Sequence, residues 1–162
     1  MFRVADIIRG TTVDGPGFRT SIYLSGCSHH CEGCHNPATW NPDYGEIMSL
    51  DDIMDIVREE DFNVTLSGGD PLFNPETTGL LINALKNDGR TVWVYTGFTW
   101  EEIIKDISLL RVIKEADVVV DGRFVKELMD PDLPFRGSLN QRLIDVKESL
   151  EKQRIVEYSS RL

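Results

Sequence analysis

Three cysteines in one short loop are the residues whose type and spacing most directly predict chemistry. Cys27, Cys31 and Cys34 are the only cysteines of the chain, and three and then two residues separate them. Thiolates so close in sequence can converge on one metal centre, and an odd number of them cannot all pair as disulfides. Iron–sulfur clusters usually take four protein thiolates, so a four-iron cluster held by three would keep one iron open to another ligand. By analogy with the open position of catalytic zinc, such a site suits catalysis.

Two other interpretations of this loop stay open at this point. A structural zinc site of the Cys₃His type would take His29, His30 or His35 as its fourth ligand. Three unrelated buried thiols are disfavoured, because all the cysteines of the chain share one loop. The loop alone therefore predicts a metal centre without deciding between iron–sulfur and zinc.

Alternating strands and helices are predicted to position this loop. Apolar, β-forming runs alternate with amphipathic segments that begin at helix-capping signals, which indicates an α/β fold with a parallel sheet and helices on its outside. The predicted strands are residues 21–24, 62–66, 91–95, 117–121 and 142–146, and helices are predicted after Ser49, from Pro75 and after Thr99. A full eight-unit barrel takes about 250 residues. A chain of 162 residues is long enough only for an open sheet or a partial barrel.

The loops that follow the predicted strands are the places where a site is expected. Ligands of parallel α/β sheets gather at the carboxyl ends of the strands. These loops are residues 25–36, 67–71, 96–98 and 121–125, and the first of them contains all three cysteines. We therefore expect a site where the four loops meet.

Length and charge limit the classes of function. The 162 residues suit a single domain, 1–162. The 17 Lys and Arg against 27 Asp and Glu give a net charge of −10, which disfavours binding to nucleic acid or to an anionic membrane surface. No apolar run approaches transmembrane length, and Arg3, Asp6 and Arg9 interrupt any signal-peptide core. We therefore expect a cytoplasmic protein in a reducing compartment, where thiolates stay available.

Two motifs together resemble those of the radical S-adenosylmethionine enzymes. Cys-x₃-Cys-x₂-Cys after a first strand is the signature of that family, and residues 67–71, Ser-Gly-Gly-Asp-Pro, stand in the place of its Gly-Gly-Glu-Pro-like segment. Alone, the second motif would be an ordinary turn. The resemblance implies a partial (βα) barrel of the radical S-adenosylmethionine type. It also implies one [4Fe-4S] cluster per chain on Cys27, Cys31 and Cys34, with S-adenosyl-L-methionine chelating the open iron.

A narrower resemblance covers nearly the whole chain. Six segments, in family order, are similar to those of the activating proteins of the anaerobic (class III) ribonucleotide reductases. They are residues 14–19, 34–36, 39–40, 94–97, 120–124 and 135–142. Each segment alone is an ordinary turn or strand end, and their joint occurrence makes chance improbable. The Arg-Gly-Ser-x-Asn-Gln sequence in the last segment separates this group from activators of other glycyl radical enzymes.

The resemblance assigns cofactor-binding roles to residues at the strand ends. They are Gly68, Gly69 and Asp70 for the methionyl part; the backbone around Gly33, Cys34 and His35 for the adenine; and Thr96, Asp121 and Arg123 for the ribose or carboxylate. An arginine fork suits a carboxylate, because it can donate two parallel hydrogen bonds. The alternative for Asp121 and Arg123 is a surface ion pair.

One position departs from the family, and the histidines add little. Many radical S-adenosylmethionine enzymes carry an aromatic residue just before the third cysteine, where this chain has Gly33. The adenine contact is then expected from the backbone or a later loop. His29 and His30 are expected to be exposed, and His35 to pack beside the cluster.

The function that the resemblance implies is that of a radical S-adenosylmethionine oxidoreductase which activates a glycyl radical enzyme. Reductive cleavage of S-adenosylmethionine would give a 5′-deoxyadenosyl radical, which would abstract hydrogen from a glycine of the anaerobic reductase large subunit. No side chain is predicted to act as acid, base or nucleophile. An external flavodoxin- or ferredoxin-type donor would supply the electron, because the chain has no cysteines for a second cluster. The alternatives are an activator of another glycyl radical enzyme, such as pyruvate formate-lyase, and a non-catalytic zinc-binding module.

Overall fold

The strands of one seven-stranded sheet form the centre of the computed structural model, which describes residues 1–160. Residues 161 and 162 of the predicted single domain lie outside the described residues. In chain order the strands are β1 (Phe2–Thr11), β2 (Arg19–Leu24), β3 (Glu46–Met48), β4 (Asn63–Gly68), β5 (Val92–Tyr95), β6 (Val118–Asp121) and β7 (Arg142–Asp145). Across the sheet their order is β3-β1-β2-β4-β5-β6-β7.

The four central strands are parallel, and the outer strands are antiparallel to their neighbours. β2, β4, β5 and β6 pair in parallel, whereas β1 and β3 on one side and β7 on the other run antiparallel. The prediction of a parallel sheet is therefore correct at the centre and wrong at the edges. The reason lies in the connections: a parallel pair needs a crossover, usually with a helix, whereas loops suffice to join β1 to β2 and β6 to β7.

Five α-helices complete the fold: α1 (Leu50–Glu60), α2 (Pro75–Asn87), α3 (Trp100–Lys105), α4 (Ile107–Ile113) and α5 (Val146–Lys152). The capping boxes that the sequence predicts at Ser49 with Asp52 and at Thr99 with Glu102 are both confirmed. The helix predicted after Thr99 is divided in two, because the Asp106 carboxylate caps α4 as a separate helix. Within residues 1–160, every helix is too short or too polar to cross a membrane.

The two faces of the sheet differ in what covers them. One face presents apolar side chains such as Ile22, Leu66 and Val94, and these pack with the helices into the main core. Because side chains alternate along a strand, the other face carries Tyr23 and Tyr95 near the strand ends, together with a smaller aromatic and apolar cluster. The helices thus leave the carboxyl ends of the parallel strands to the loops that carry the chemistry.

Candidate metal and cofactor site

Loops from the carboxyl ends of all four parallel strands meet around one cavity of about 190 Å³. Its lining includes Cys27, Cys31, Cys34 and His35 after β2, Gly69 after β4, Thr96 and Gly97 after β5, and Gly122 and Phe124 after β6. The four loops therefore meet around one cavity, as expected, and its use as a binding site stays a prediction. We call this space the cysteine cavity.

The three thiols in the cysteine cavity suit an iron–sulfur cluster in their chemistry. All three are free, with Cys27 buried and the other two partly exposed. Burial raises the pKa of the Cys27 thiol above its ordinary value, while backbone N–H groups of His29 and His30 act in the opposite direction. The backbone N–H of Asn36 donates to Cys34 Sγ at 3.4 Å. Amide donors aimed at cysteine sulfur stabilise the thiolate form and tune clusters in proteins, so these residues fit that group.

The arrangement gives no support to a single-ion site. Among residues 1–160, no three His, Cys, Asp or Glu side chains converge as the ligands of one metal ion would. Ligands of one zinc each lie about 2.0–2.3 Å from the same point. Residues 1–160 therefore show no preformed single-ion site, and the zinc alternative with His29, His30 or His35 stays open at this point.

Asp70 joins three of the strand-end loops beneath the cysteine cavity. Its side chain is buried, and its Oδ2 accepts hydrogen bonds from Thr96 Oγ1 at 3.0 Å and from the Gly97 backbone N–H at 2.9 Å. The same oxygen lies 2.7 Å from His29 Nε2, and Oδ1 accepts from the Leu72 backbone N–H at 2.8 Å. These bonds occupy the carboxylate, which gives Asp70 a positioning role. Its direct contact with the cofactor stays a prediction that none of these bonds supports.

Glycine is required at two places in the wall of the cavity because neighbouring atoms leave no room for a side chain. A Cβ on Gly69 would lie 2.4 Å from the Gly26 carbonyl oxygen and 2.7 Å from that of Thr39. A Cβ on Gly97 would lie 2.4 Å from the His29 ring. The close approach at Gly69 brings its backbone to the cavity, as the predicted role of the glycine pair requires.

Comparison with known proteins decides the family. The sequence profile of the 4Fe-4S single cluster domain matches residues 13–144. The anaerobic ribonucleoside-triphosphate reductase-activating protein of Escherichia coli (strain K12) is 35% identical over 140 residues, covering 80% of this chain and 89% of that protein. Its namesake from Enterobacteria phage T4 is 36% identical over 139 residues, covering 81% and 86%. The chain belongs to the family of anaerobic ribonucleoside-triphosphate reductase-activating proteins.

A solved structure supports the fold of this activating-protein family member. QueE from Escherichia coli aligns with a TM-score of 0.54 and 15% sequence identity, over 74% of this chain and 69% of that one. Sequence identity this low supports a shared architecture and nothing about function. The mixed α/β architecture of this chain is thus shared, over 74% of its length, with a solved structure.

In this activating protein, the two charged residues predicted at the end of β6 have protein partners. The Asp121 carboxylate is buried; its Oδ2 accepts from the Trp100 backbone N–H at 2.7 Å and from Arg142 at 2.6 Å. Arg123 is exposed and forms an ion pair with Glu102 at 3.2 Å. The alternative of a surface ion pair between these two residues is therefore wrong, because Asp121 is buried and pairs with Arg142, whereas Arg123 pairs with Glu102 at the surface. A role for either residue in cofactor binding stays a prediction.

The adenine side of the predicted site contains an aromatic ring that motif comparison did not identify. Gly33 is exposed with φ +76°, and a Cβ there would lie 3.4 Å from the Phe124 ring. Phe124 lines the cysteine cavity, and its ring centroid is 5.2 Å from that of His35. The signal was present in residues 120–124, where Phe124 ends a strand motif, but only the fold brings it to Gly33.

The expectation for His29 is wrong, whereas the one for His30 is correct. The His29 side chain is only 5% exposed, because it packs edge-on against Phe98 and lies against Asp70. His30 is exposed and stacks on Trp40 with 4.6 Å between ring centroids. His35 lines the cavity, as its predicted position requires.

A last loop, residues 134–141, also reaches the cavity, and the sequence assigned it no role. Gln141 Oε1 accepts from the backbone N–H groups of Gly137 and Ser138, and its Nε2 donates to the Gly122 carbonyl. Gly137 and Gln141 line the cysteine cavity. The Asn-Gln pair in this segment was a visible signal, but its target lies 19 residues away.

Proposed function

We propose that this chain activates an anaerobic ribonucleoside-triphosphate reductase by generating a glycyl radical on its large subunit. The observation that carries the proposal is that the only three cysteines of the chain line one cavity at the strand ends. The name that its relatives share, anaerobic ribonucleoside-triphosphate reductase-activating protein, supports the same activity.

The cofactors that fit this site are one [4Fe-4S] cluster on Cys27, Cys31 and Cys34, and S-adenosyl-L-methionine on the remaining iron. When bound, they supply a 5′-deoxyadenosyl radical through one-electron reductive cleavage of the sulfonium. A flavodoxin- or ferredoxin-type donor delivers the electron from outside, because the chain has no cysteines for a second cluster.

The chain's own residues position these groups. Asp70 holds the loops after β2 and β5 together through His29, Thr96 and Gly97. Its neighbours Gly68 and Gly69 present backbone to the methionyl part of the cofactor. Other groups form the rest of the binding surface: Phe124, the backbone around Gly33, Cys34 and His35, and the predicted ribose or carboxylate contacts Thr96, Asp121 and Arg123.

The molecule works as a single domain of partial-barrel type with one open side. The helices cover one face of the sheet, and the cavity lies at the strand ends of the other. A glycine-bearing loop of the reductase enters from that side and completes the enclosure. The hydrogen donor is then a protein segment rather than a small substrate.

Electron paramagnetic resonance of the reconstituted protein with its reductase tests this function. With dithionite and S-adenosylmethionine, the wild type should produce a doublet glycyl radical signal on the large subunit. Cys31→Ser should retain little iron and give no signal. Ser28→Ala, an exposed change in the same loop, should match the wild type.

Two outcomes would refute the function. One is a cluster-loaded protein that cleaves S-adenosylmethionine yet leaves the reductase without a radical. The other is a signal that arises with pyruvate formate-lyase and not with the reductase. Stoichiometric zinc with little iron after anaerobic purification would instead favour the non-catalytic module.

A further inference from the structure

A second cavity, of about 330 Å³, lies directly beside the cysteine cavity. The two spaces share His35, Asn36, Tyr95 and Gly137 in their linings. The second is walled by polar groups on the sheet face that the helices leave uncovered, and Arg136 lies in its wall. We call it the Arg136 pocket.

Arg136 has hydrogen-bonding capacity that the described part of the chain does not use. Its Nε is buried and has no hydrogen-bond partner among residues 1–160. One terminal nitrogen donates to the Gln141 carbonyl at 2.6 Å. Within the same residues no carboxylate lies within ion-pair distance of this guanidinium, although Arg90, Arg123 and Arg142 each have one. A buried donor without an acceptor is costly, so this group is suited to an external oxygen.

Contacts on both sides of Arg136 fix the backbone from which its side chain extends. Phe135 adopts φ +62°, a left-handed conformation that a side-chain-bearing residue rarely takes. Its carbonyl accepts from the Tyr95 hydroxyl, and its ring packs edge-on against Trp93 with 5.5 Å between centroids. After Arg136, the Gly137 backbone N–H donates to Gln141 at 2.9 Å. Strain held in this way from both sides is typical of functional positions.

Three other polar side chains that line the pocket, Asp14, Tyr23 and Tyr95, already have partners. Asp14 Oδ2 accepts from the hydroxyls of Ser21 and Tyr23 at 2.9 and 2.8 Å. Tyr95 donates to the Phe135 carbonyl. The buried Arg136 Nε–H is a charged donor without a partner among residues 1–160, and the matching ligand atom is an acceptor oxygen. Val13, 69% exposed at the rim, adds apolar surface beside it.

We propose that the Arg136 pocket binds an extended polypeptide segment of the reductase, and that Arg136 donates from Nε to a backbone carbonyl of that segment. This inference rests on the proposed function, which requires a glycine Cα to reach the cysteine cavity. A backbone offers carbonyl acceptors at regular spacing, and a glycine adds no side chain to obstruct its approach. Arg136 is thus a positioning residue for the protein substrate, with no part in binding the cofactor.

Separate affinities for the reductase and for S-adenosylmethionine test this assignment. Reconstituted Arg136→Gln should bind the large subunit roughly tenfold or more weakly, the usual effect of losing a charge-assisted hydrogen bond. The KM for the large subunit should rise, and kcat should change less. Affinity for S-adenosylmethionine by calorimetry, and its cleavage by dithionite without the reductase, should stay within about twofold. Arg136→Lys keeps the charge without the Nε–H and should recover only part of the affinity.

Arg111→Gln is the matched control. Arg111 is exposed on α4, among residues that line a different groove, so its loss should leave both affinities unchanged. Hydrogen–deuterium exchange of the wild-type protein tests the same contact without any variant whose folding could be altered. The amides of Leu133, Phe135, Arg136 and Gly137 should become protected when the large subunit is added.

The results that would contradict the role of Arg136 differ from the result that would contradict the proposed function. If Arg136→Gln loses S-adenosylmethionine affinity by the same factor, the guanidinium binds the cofactor carboxylate and the proposal is wrong. It is also wrong if Arg136→Gln matches Arg111→Gln while these four amides stay unprotected. A wild-type protein that neither binds nor activates the reductase overturns the proposed function together with this inference.

Discussion

One carboxylate at the end of β4 and one at the end of β6 hold neighbouring parts of the site together by bonding to other protein groups. Asp70 accepts two hydrogen bonds from the loop after β5, and Asp121 ties the start of α3 to Arg142. Both side chains are buried. A buried carboxylate is costly unless its oxygens are satisfied, so the residues that satisfy it are the ones on which stability depends.

Two arginines in this region should differ sharply in their effect on stability. Arg142→Gln removes the cation from fully buried Asp121 and should cost about 3 kcal/mol. Arg123→Gln removes only an exposed pair with Glu102 and should cost less than about 1 kcal/mol. Anaerobic urea unfolding of the two reconstituted variants measures the difference, and equal costs would contradict it. Calorimetry with S-adenosylmethionine on Arg123→Gln also tests its predicted contact with the cofactor.

Two glycine-to-alanine changes should differ for steric reasons. Gly69→Ala places a methyl 2.4 Å from a backbone oxygen and should cost about 2–3 kcal/mol, with reduced iron retention. Gly79→Ala lies in α2, where the new methyl makes an ordinary 3.4 Å contact with Val112. It should be neutral or stabilise by up to about 1 kcal/mol. Iron per chain and the urea midpoint report both effects. A Gly69→Ala protein with wild-type stability and iron content would show that the space around Gly69 is not crowded.

At the level of elements, the short helix α3 links the core to the site. Trp100 and Ile103 bury its apolar side, while Glu101 and Glu102 contact Arg142 and Arg123. Its first turn is held by the capping box of Thr99 and Glu102. A helix of six residues is too short to be stable alone, so these end contacts determine whether it forms.

Loss of the α3 cap should therefore be measurable. Thr99→Ala removes the hydroxyl that accepts from the Glu102 backbone N–H and should cost about 1 kcal/mol. Thr12→Ala, an exposed change in the loop before β2, should cost almost nothing. Urea unfolding at pH 7 compares the two variants. A Thr99→Ala protein as stable as the control would show that packing alone holds α3.

The same cap predicts a pH dependence with a definite sign. The Thr99 backbone N–H, and then Arg123, hold the pKa of Glu102 below its ordinary value. A lowered pKa contributes stability above the unfolded-state value of about 4.3, and this contribution is lost as the pH falls through the folded-state value. Glu102→Gln should thus be less stable than the wild type at pH 7, and the gap should narrow below about pH 4.

The control for this titration is Glu76→Gln, which removes an exposed carboxylate from the first turn of α2. Urea midpoints between pH 7 and pH 3.5 give the comparison. A gap between wild type and Glu102→Gln that widens on acidification would have the wrong sign and would contradict the assignment.

At the scale of the whole molecule, the way in which the helices cover one face of the sheet and leave the other uncovered determines how the protein works. The helices bury one face in the main core, and the other face carries two adjoining cavities at the carboxyl ends of the parallel strands. Loops and the ends of the strands line these cavities. A radical generated there needs protection that the partner protein would provide.

Access to the cluster should therefore depend on the reductase. Bathophenanthroline should extract iron rapidly from the reconstituted protein alone, and several times more slowly once the large subunit is bound. The same mass of serum albumin should have no effect. Extraction that is equally slow without the partner would show a site already closed, and the partner would then have no part in enclosing it.

The sequence by itself determined the local features. Three thiols within eight residues predict a metal centre in any fold, and Ser49, Thr99 and their acidic partners predict helix starts that the structure contains. The alternation of elements predicts the parallel strands of the centre. Each of these signals depends on residues only a few positions apart, which hydrogen bonding and helical periodicity connect directly.

Only the tertiary structure decided which distant residues meet. His29 is buried because Asp70, 41 residues away, lies against it, and Asp121 pairs with Arg142 although Arg123 is closer in sequence. The antiparallel direction of β1 and β7 likewise follows from long-range pairing. The local sequence around a carboxylate does not indicate which distant cation it will pair with. Its partner is selected by the packing of whole strands, a long-range property that no short motif encodes.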